Sequence, residues 1–342
     1  MRLTAWPATI TIALALPALA ACHAPSDDPG DGAPGDGAGE APPDAAAAFD
    51  AEASGGAVVR FVMMGDQGTG TAKQYAVAAA IRQVCAAEGC DFVVLLGDNL
   101  YPDGADSTSD PVWQTAFEMP YAGLDVPFHA ILGNHDFGRS GTDWEREDIQ
   151  VDYSSVSPRW HMPHPHYAML QGPVAFLMLD TNRLMWDMVD DGDQRLFWND
   201  AYPAIANAPW RIAVGHHPYR SNGHHGNMGS YGGGDSLAPQ NDGASMKAFF
   251  DERVCGHVDL YVAGHDHDME WLNAPEHCGG TELVVSGAGG TTAPFERAET
   301  PVFWHEDVEA GFLYVVADAT TLHGRFIGQS GATLFERTLT KP

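Results

Sequence analysis

Five short segments of this chain carry potential metal ligands, and each follows an apolar run. They are GDQG at 65–68, GDNLY at 97–101, GNHD at 133–136, GHHP at 215–218 and GHDH at 264–267. Four of the preceding runs predict buried strands, namely VVRFVMM, DFVVLL, FHAIL and DLYVA, and RIAV is a shorter run of the same kind. A polar side chain at the end of a strand lies on a loop that a rigid sheet holds in place, where catalytic groups are common. Five such segments predict an active site.

The order of the predicted elements favours an α/β fold. A strand near 57–64, an alanine-rich helix near 71–87 and strands at 91–96 and 127–132 form a βαβ opening. Further strands are predicted at 173–180, 210–215, 259–263, 282–286, 312–317, 322–327 and 332–338, and further helices at 193–206 and 244–254. Because the second half is richer in strands, we expect two facing mixed sheets with helices outside them and no second domain.

Residues 1–22 are typical of an export signal. Their apolar stretch is interrupted by Pro7 and Pro17 and is too short for a transmembrane helix. The tetrapeptide LAAC resembles a bacterial lipobox, which would make Cys22 the lipidated N-terminus of a protein anchored at the cell envelope, in the periplasm or at the cell surface. The alternative is an ordinary signal peptide with a chance cysteine.

Residues 23–56 are predicted to form a disordered tether. The segment consists largely of Ala, Gly, Pro and Asp, with eight acidic residues and no lysine or arginine. Such a composition buries too little apolar surface to offset the entropy of ordering. The remaining residues, 57–342, suffice for one well-buried α/β domain.

Four cysteines follow Cys22, namely Cys85, Cys90, Cys255 and Cys278. An exported chain can keep disulfides, and four cysteines allow three pairings. We favour the sequential pairing because it closes the shortest loops. Zinc binding through these cysteines is not expected, because no CxxC spacing occurs.

The charge of the chain restricts the partners that it can bind. The formal net charge is −29, and only three lysines are present. This composition argues against a basic patch for nucleic acid or for anionic membrane surfaces. It also leaves no cluster of basic residues to attract a phosphate, a role that bound cations could fill.

Three of the segments have a carboxylate or an amide directly after their first glycine. Asp66 and Asp98 each follow a glycine, whose missing Cβ permits a tight turn. Two buried carboxylates at one locus repel each other unless a cation lies between them. Asn134 adds a neutral amide ligand. Taken singly, each of these residues is better explained as a loop or turn residue.

Histidines and a tyrosine complete the pattern. His265 and His267 flank one residue, so on extended backbone their imidazoles face the same way, which suits two adjacent metal ions. His216 adds a third imidazole from another strand end. Tyr101 would be a hard, anionic phenolate ligand that favours Fe(III) over divalent ions. On its own it could equally be an aromatic rim residue.

These segments together resemble the metal-binding blocks of purple acid phosphatases, within the calcineurin-like metallophosphoesterase superfamily. They are most similar to the small, tartrate-resistant branch, and SVSPRWHMPHPHY, FLMLDT, LVVSGAGG and FIGQSGATLFERTL extend the resemblance over roughly residues 58–340. Ordinary members of the superfamily carry a histidine two residues after the first aspartate and lack the tyrosine, whereas this chain has Gly68 and Tyr101. The resemblance implies a four-layer sandwich of two mixed β-sheets flanked by helices.

The resemblance also implies a set of metal ligands. These are Asp66, Tyr101 and His267 for Fe(III), then Asn134, His216 and His265 for a second, divalent ion of Fe, Zn or Mn, with Asp98 bridging the two metals. Three anionic ligands would leave the metal pair with about two positive charges to attract phosphate, and the metals would activate a hydroxide for in-line attack.

Further histidines receive roles from the same resemblance. His135 would contact the phosphate or the leaving oxygen, and His225 would protonate the leaving group, with His224 as the competing choice. A histidine acid works best when protonated, which suits mildly acidic conditions. His217 is interpreted as lying behind the ligands. The remaining histidines of this part of the chain are interpreted as rim residues: His161, His164 and His166.

The sequence therefore predicts an exported, lipid-anchored acid phosphatase that hydrolyses small phosphomonoesters. A phosphodiesterase or nucleotide hydrolase on the same scaffold is the alternative, because metal ligands do not fix the leaving group. A non-enzymatic surface protein that keeps the site as a structural metal clamp is a second alternative. We expect a monomer that binds no nucleic acid and meets membranes only through its lipid anchor.

Overall fold

The computed structural model of the chain describes residues 58–186, 191–231 and 243–341. The predicted export signal at 1–22, its Cys22 and the predicted tether at 23–56 lie outside these ranges. None of the helices in the described ranges has both the length and the apolar character that crossing a bilayer requires.

Strands and helices alternate through the first half, as predicted, and strands dominate the second. Strands β1 to β14 cover, in order, Val59–Met64, Phe92–Leu96, Phe128–Ile131, Trp160–His161, Tyr167–Gln171, Val174–Met178, Trp210–Val214, Leu260–Ala263, Met269–Leu272, Glu282–Ser286, Val302–Glu306, Gly311–Ala317, Thr321–Gly328 and Thr333–Thr340. Helices α1 to α5 cover Ala72–Glu88, Arg146–Tyr153, Thr181–Trp186, Asp191–Ile205 and Ala244–Phe249.

The strands form two mixed sheets of seven strands each. The order is β14-β13-β12-β1-β2-β3-β4 in the first sheet and β11-β9-β10-β8-β7-β6-β5 in the second. Strands β1 to β4 run parallel, as do β6, β7, β8 and β10, and the other neighbours are antiparallel. The prediction of two mixed sheets is confirmed.

Successive side chains of a strand point to opposite faces of its sheet, and the strands carry apolar side chains on both faces. One apolar face of each sheet packs against the other sheet. Phe61 and Phe92 of the first sheet stack at 5.1 Å, and Phe176 of the second sheet meets their edges at 5.3 and 5.7 Å. The next residue of β6, Leu177, points the other way, into a cluster with α4 and α5 that includes Phe249. Helices therefore cover the outer faces, and the four-layer sandwich is confirmed.

Several elements were not predicted from the sequence. Strands β4, β5, β9 and β11 and helices α2 and α3 are short, with two to eight residues each. The predicted helix at 244–254 is α-helical only to Phe249 and continues as a π-helical turn over Phe250–Val254. Short segments carry too little periodicity to reveal whether they are helix or strand. These differences leave the predicted architecture of two mixed sheets unchanged.

Two disulfides link neighbouring parts of the chain. Cys85 bonds Cys90, with 4.9 Å between their Cα atoms, and Cys255 bonds Cys278, with 4.4 Å. The first joins the end of α1 to the turn before β2, and the second joins two turns that flank β8 and β9. This is the sequential pairing that the sequence analysis favours.

Candidate metal centre

All five segments lie at the carboxyl ends of parallel strands. The ends of β1, β2 and β3 carry the first three, and the ends of β7 and β8 carry the other two. Carboxyl ends of parallel strands meet at one edge of a sheet, where ligands commonly bind. A side chain joins the two sheets there, because Nδ1 of His216 donates to the carbonyl oxygen of Leu96 at 2.8 Å.

Three of the predicted ligands have a left-handed backbone. Asp66, Asp98 and His265 have φ angles of 59°, 54° and 68°, and no other non-glycine residue in the described ranges has a positive φ. This conformation costs roughly 1–3 kcal/mol per residue and is concentrated at functional sites. The turns that leave β1, β2 and β8 therefore favour ligand placement over local stability.

Neighbouring glycines let the carboxylates approach the backbone. A Cβ on Gly133 would lie 2.3 Å from Oδ1 of Asp98, and a Cβ on Gly264 would lie 2.6 Å from Oδ2 of Asp66. Neither position has room for a side chain, which explains why GNHD and GHDH each begin with glycine.

The first group of ligand atoms surrounds the hydroxyl of Tyr101. Its oxygen lies 2.7 Å from Oδ2 of Asp98, 3.1 Å from Oδ1 of Asp66 and 3.2 Å from Nε2 of His267. Nε2 of His267 also lies 3.5 Å from Oδ1 of Asp66. These are the residues that the resemblance assigns to Fe(III).

The second group surrounds Nε2 of His216. That atom lies 3.2 Å from Oδ1 of Asn134, 3.2 Å from Nδ1 of His265 and 3.4 Å from Oδ1 of Asp98. Because Nδ1 of His216 donates to Leu96, the neutral imidazole presents an unprotonated Nε2 to the group. These are the residues that the resemblance assigns to the divalent ion.

Asp98 connects the two groups through its two oxygens. Its Oδ2 faces Tyr101 and its Oδ1 faces His216. Ligand atoms of Asp66, Asp98 and His216 all lie within 4.8 Å of one another, and the three residues are buried. Carboxylate, phenol, amide and imidazole atoms meet here, and most of them have a lone pair available for a metal ion. This set of ligand atoms fits a pair of metal ions.

The electrostatics of the site favour positive charge. Burial, then Asp98 and Asp66, raise the pKa of Tyr101 well above its usual value. Burial lowers the pKa of His216, but the charges of Asp98 and Asp66 outweigh it and the net shift is upward. Burial would raise the pKa of Asp98, but His216 and His135 lower it. The group therefore attracts cations.

His265 and His267 differ in their environments. Burial, together with His225 and His217, holds the pKa of His265 well below its usual value, so its imidazole stays neutral. Burial also acts to lower the pKa of His267, but its contact with Asp66 reverses the shift. A neutral imidazole is the form that binds a metal ion.

His135 lies at the mouth of the site. Its ring contacts that of Tyr101 at 4.5 Å between centroids, and its side chain is 39% exposed. Nδ1 donates to the carbonyl oxygen of Pro102 at 2.6 Å, and Nε2 lies 4.0 Å from Oδ2 of Asp98. Nε2 is therefore directed towards the ligand atoms from the solvent side.

The structure separates the two histidines between which the sequence could not choose. The ring of His225 stacks on that of His265, with 3.9 Å between centroids and an angle of 29°. His224 is turned outward, where its Nδ1 lies 2.8 Å from Oε1 of Glu296. Only His225 of this pair faces the ligand group.

The other predicted histidines have different surroundings. His217 is buried behind the ligands, 4.4 Å from the ring of His265, and its Nδ1 bonds the hydroxyl of Thr181 at 2.9 Å. His164 and His166 instead line a separate cavity of 210 Å³, and His161 contacts His129.

Asp136 contributes to the site in a way that the sequence analysis did not predict. Its buried carboxylate accepts the N–H groups of Asn99 at 3.0 Å, Leu100 at 3.3 Å and Gly133 at 2.8 Å. It therefore ties the GDNLY turn to the GNHD turn. Burial and Asp98 raise its pKa to about 6. The acid within GNHD was a visible signal, but its partners were not.

Comparison with known proteins identifies the family of this chain. The chain belongs to the calcineurin-like phosphoesterase family, whose profile matches residues 59–269, and it is therefore a phosphoesterase. It is 28% identical over 318 residues to tartrate-resistant acid phosphatase type 5 of Sus scrofa, covering 82% of this chain and 87% of that protein. It is 25% identical over 312 residues to purple acid phosphatase 7 of Arabidopsis thaliana, covering 80% and 87%. The resemblance inferred from the five segments is confirmed.

A solved structure shares the fold. GAP50, the anchor in the inner membrane complex of Plasmodium, superposes with a TM-score of 0.66 and 21% identity, covering 83% of this chain and 89% of that chain. At this level of identity the similarity concerns the architecture alone.

Proposed function

We propose that this protein is a metal-dependent acid phosphatase that hydrolyses phosphomonoesters. The observation that carries the proposal is the position of Asp98 between two ligand groups, 2.7 Å from the Tyr101 oxygen on one side and 3.4 Å from Nε2 of His216 on the other. Similarity to proteins named as acid phosphatases over about four fifths of the chain supports the same function.

The metal centre would be an Fe(III)–M(II) pair. In this proposal Asp66, Tyr101 and His267 would hold Fe(III), Asn134, His216 and His265 would hold a divalent Fe, Zn or Mn, and Asp98 would be shared by both ions. Tyr101 would supply a hard, anionic phenolate ligand, which favours Fe(III) over divalent ions. When bound, the two ions supply charge that attracts phosphate and Lewis acidity that makes water nucleophilic.

Two histidines would act on the substrate itself. Because Nδ1 of His135 donates to Pro102, Nε2 carries a proton only in the imidazolium form, and in that form it would donate to a phosphate oxygen. His225 would give a ring proton to the leaving oxygen as the P–O bond breaks. Burial lowers the pKa of His225, so its protonated form is confined to acidic solution. This supports an acid phosphatase.

Rates on matched esters test the function. The metal-loaded protein should hydrolyse p-nitrophenyl phosphate faster than bis(p-nitrophenyl) phosphate. A higher rate on the diester would instead make the protein a phosphodiesterase. Hydrolysis of neither ester, with both metals present, would favour a non-catalytic metal-binding protein.

We also propose that residues 1–22 direct export and that Cys22 carries a lipid, which would place the protein at a bacterial cell envelope. Residues 23–56 would tether a monomeric domain that spans 57–342. The two disulfides support export, because such bonds persist in oxidising compartments. Cys22→Ser should move the protein from the membrane fraction to the soluble fraction, and unchanged fractionation would refute the anchor.

A further inference from the structure

The loop 221–226, which carries His225, lies on a buried carboxylate. Asp266, 1% exposed, accepts the backbone N–H of His225 at 2.8 Å and that of Gly226 at 3.2 Å. A Cβ on Gly223 would lie 2.5 Å from Cγ of Asp266, so the loop passes directly over this side chain. Two backbone N–H groups that converge on one buried side chain hold the loop in place.

A second buried carboxylate anchors the start of the same loop. Glu270 accepts the hydroxyl of Ser221, the backbone N–H of Asn222 and the side-chain amide of Asn222, each at 2.8 Å. Arg297 closes the loop from outside by donating to the carbonyl oxygen of Gly223 at 2.7 Å. The loop is therefore fixed along its length by side chains distant in sequence.

Asp266 lies within the GHDH segment, which supplies two of the proposed ligands, and Glu270 follows it in β9. Asp266 stands between His265 and His267, and the ring of His225 stacks on His265 at 3.9 Å. We propose that Asp266 is a positioning residue that fixes the backbone of His225 and so holds its ring against the metal-binding segment. Glu270 assists by anchoring the loop. This inference rests on the acid role of His225 in the proposed function.

The chemistry makes the position of His225 matter for some substrates more than others. As the P–O bond to the leaving group breaks, the leaving oxygen takes a ring proton of His225, which becomes neutral, and an alcohol departs. A proton donor must lie within hydrogen-bond reach of its acceptor. Alkyl leaving groups need that proton, whereas p-nitrophenolate leaves readily without it.

Asp266→Asn tests the inference, since it keeps the shape but places an NH₂ group against one of the two N–H donors. We expect kcat to fall about tenfold on β-glycerophosphate and less than about twofold on p-nitrophenyl phosphate, with KM and metal content unchanged. Glu270→Gln should give a smaller change in the same direction and serves as a second variant. Glu296→Gln is the matched control, because the Glu296 side chain contacts His224, and should show no selective loss.

A double variant sharpens the test. His225→Ala should itself lose kcat selectively on β-glycerophosphate. Adding Asp266→Asn to it should cause no further loss on that ester, because the positioned group is already absent. Additive losses would mean that Asp266 acts independently of His225 and would overturn the inference.

The other outcomes separate the inference from the function on which it rests. Equal losses on both esters, or loss of metal from Asp266→Asn, would show that Asp266 acts through the ligands and would overturn the inference. If His225→Ala is selective and Asp266→Asn is not, the positioning role alone fails. If His225→Ala shows no selectivity, the acid role of His225 fails and the positioning role fails with it.

Discussion

The backbone N–H of Tyr101 donates a hydrogen bond to the carbonyl oxygen of Gly68 at 2.9 Å. A Cβ on Gly68 would lie only 1.8 Å from the backbone oxygen of Asn99. The turn that brings Tyr101 to the ligand group therefore leaves no room for a side chain at position 68. The glycine and the tyrosine, which both depart from ordinary metallophosphoesterases, are two parts of one structural feature.

Gly68→His should therefore fail to restore an ordinary metallophosphoesterase site. The imidazole would force the backbone of 99–101 to move, so we expect the free energy of unfolding to fall by about 1–3 kcal/mol or more. Chemical denaturation measures the loss. Gly68→Ala, which adds only the clashing Cβ, should lose part of this stability, and an unchanged midpoint in both variants would contradict the packing described.

Asp180 should make the protein less stable as the pH rises. It is buried, Oδ2 has no hydrogen-bond partner among the described residues, and burial raises its pKa to about 8. A folded-state pKa above the unfolded value gives stability that is complete at low pH and lost as the pH rises through the folded pKa. Between the two values the expected slope is about −1.4 kcal/mol per pH unit.

Asp180→Asn should flatten this dependence and raise stability near pH 8, as measured by denaturation at a series of pH values. The matched control is Asp193→Asn, an exposed acid that lines the same cavity. Equal pH dependence in wild type and Asp180→Asn would contradict the assignment.

The acid role of His225 predicts a pH profile for activity. Burial lowers the pKa of His225 from its usual 6.5, although Asp266 opposes the shift. As the pH rises, His225 therefore loses its proton before the pH reaches 6.5. We expect kcat on β-glycerophosphate to decline through this range, and we expect His225→Ala to lack the decline. A profile that is the same in both proteins would assign the titration to another group.

How far the sequence predicts this structure depends on how local each signal is. Strand β2 is recognisable because its continuous apolar run is buried on both faces, and β1 departs from this pattern only at the partly buried Arg60. Strand β4, with two residues, and β9, which begins after Asp268, have no comparable run. The ligands were predictable because each follows such a strand and carries its chemistry in its own side chain.

The supporting residues were not predictable in the same way. Asp136 and Asp266 act by accepting backbone N–H groups of Asn99 and His225, which are 37 and 41 residues away. No pattern within a segment indicates such partners. The choice between His224 and His225 likewise depended on an irregular loop, where adjacent side chains follow no fixed period.

The visible spectrum and metal content of the purified, oxidised protein test the central proposal most directly. If Tyr101 binds Fe(III) beside Asp98, the wild type should contain iron and be purple through phenolate-to-iron charge transfer. Tyr101→Phe should lose the colour while it keeps the fold and the second metal. A colourless wild-type protein that is replete with iron would contradict the account.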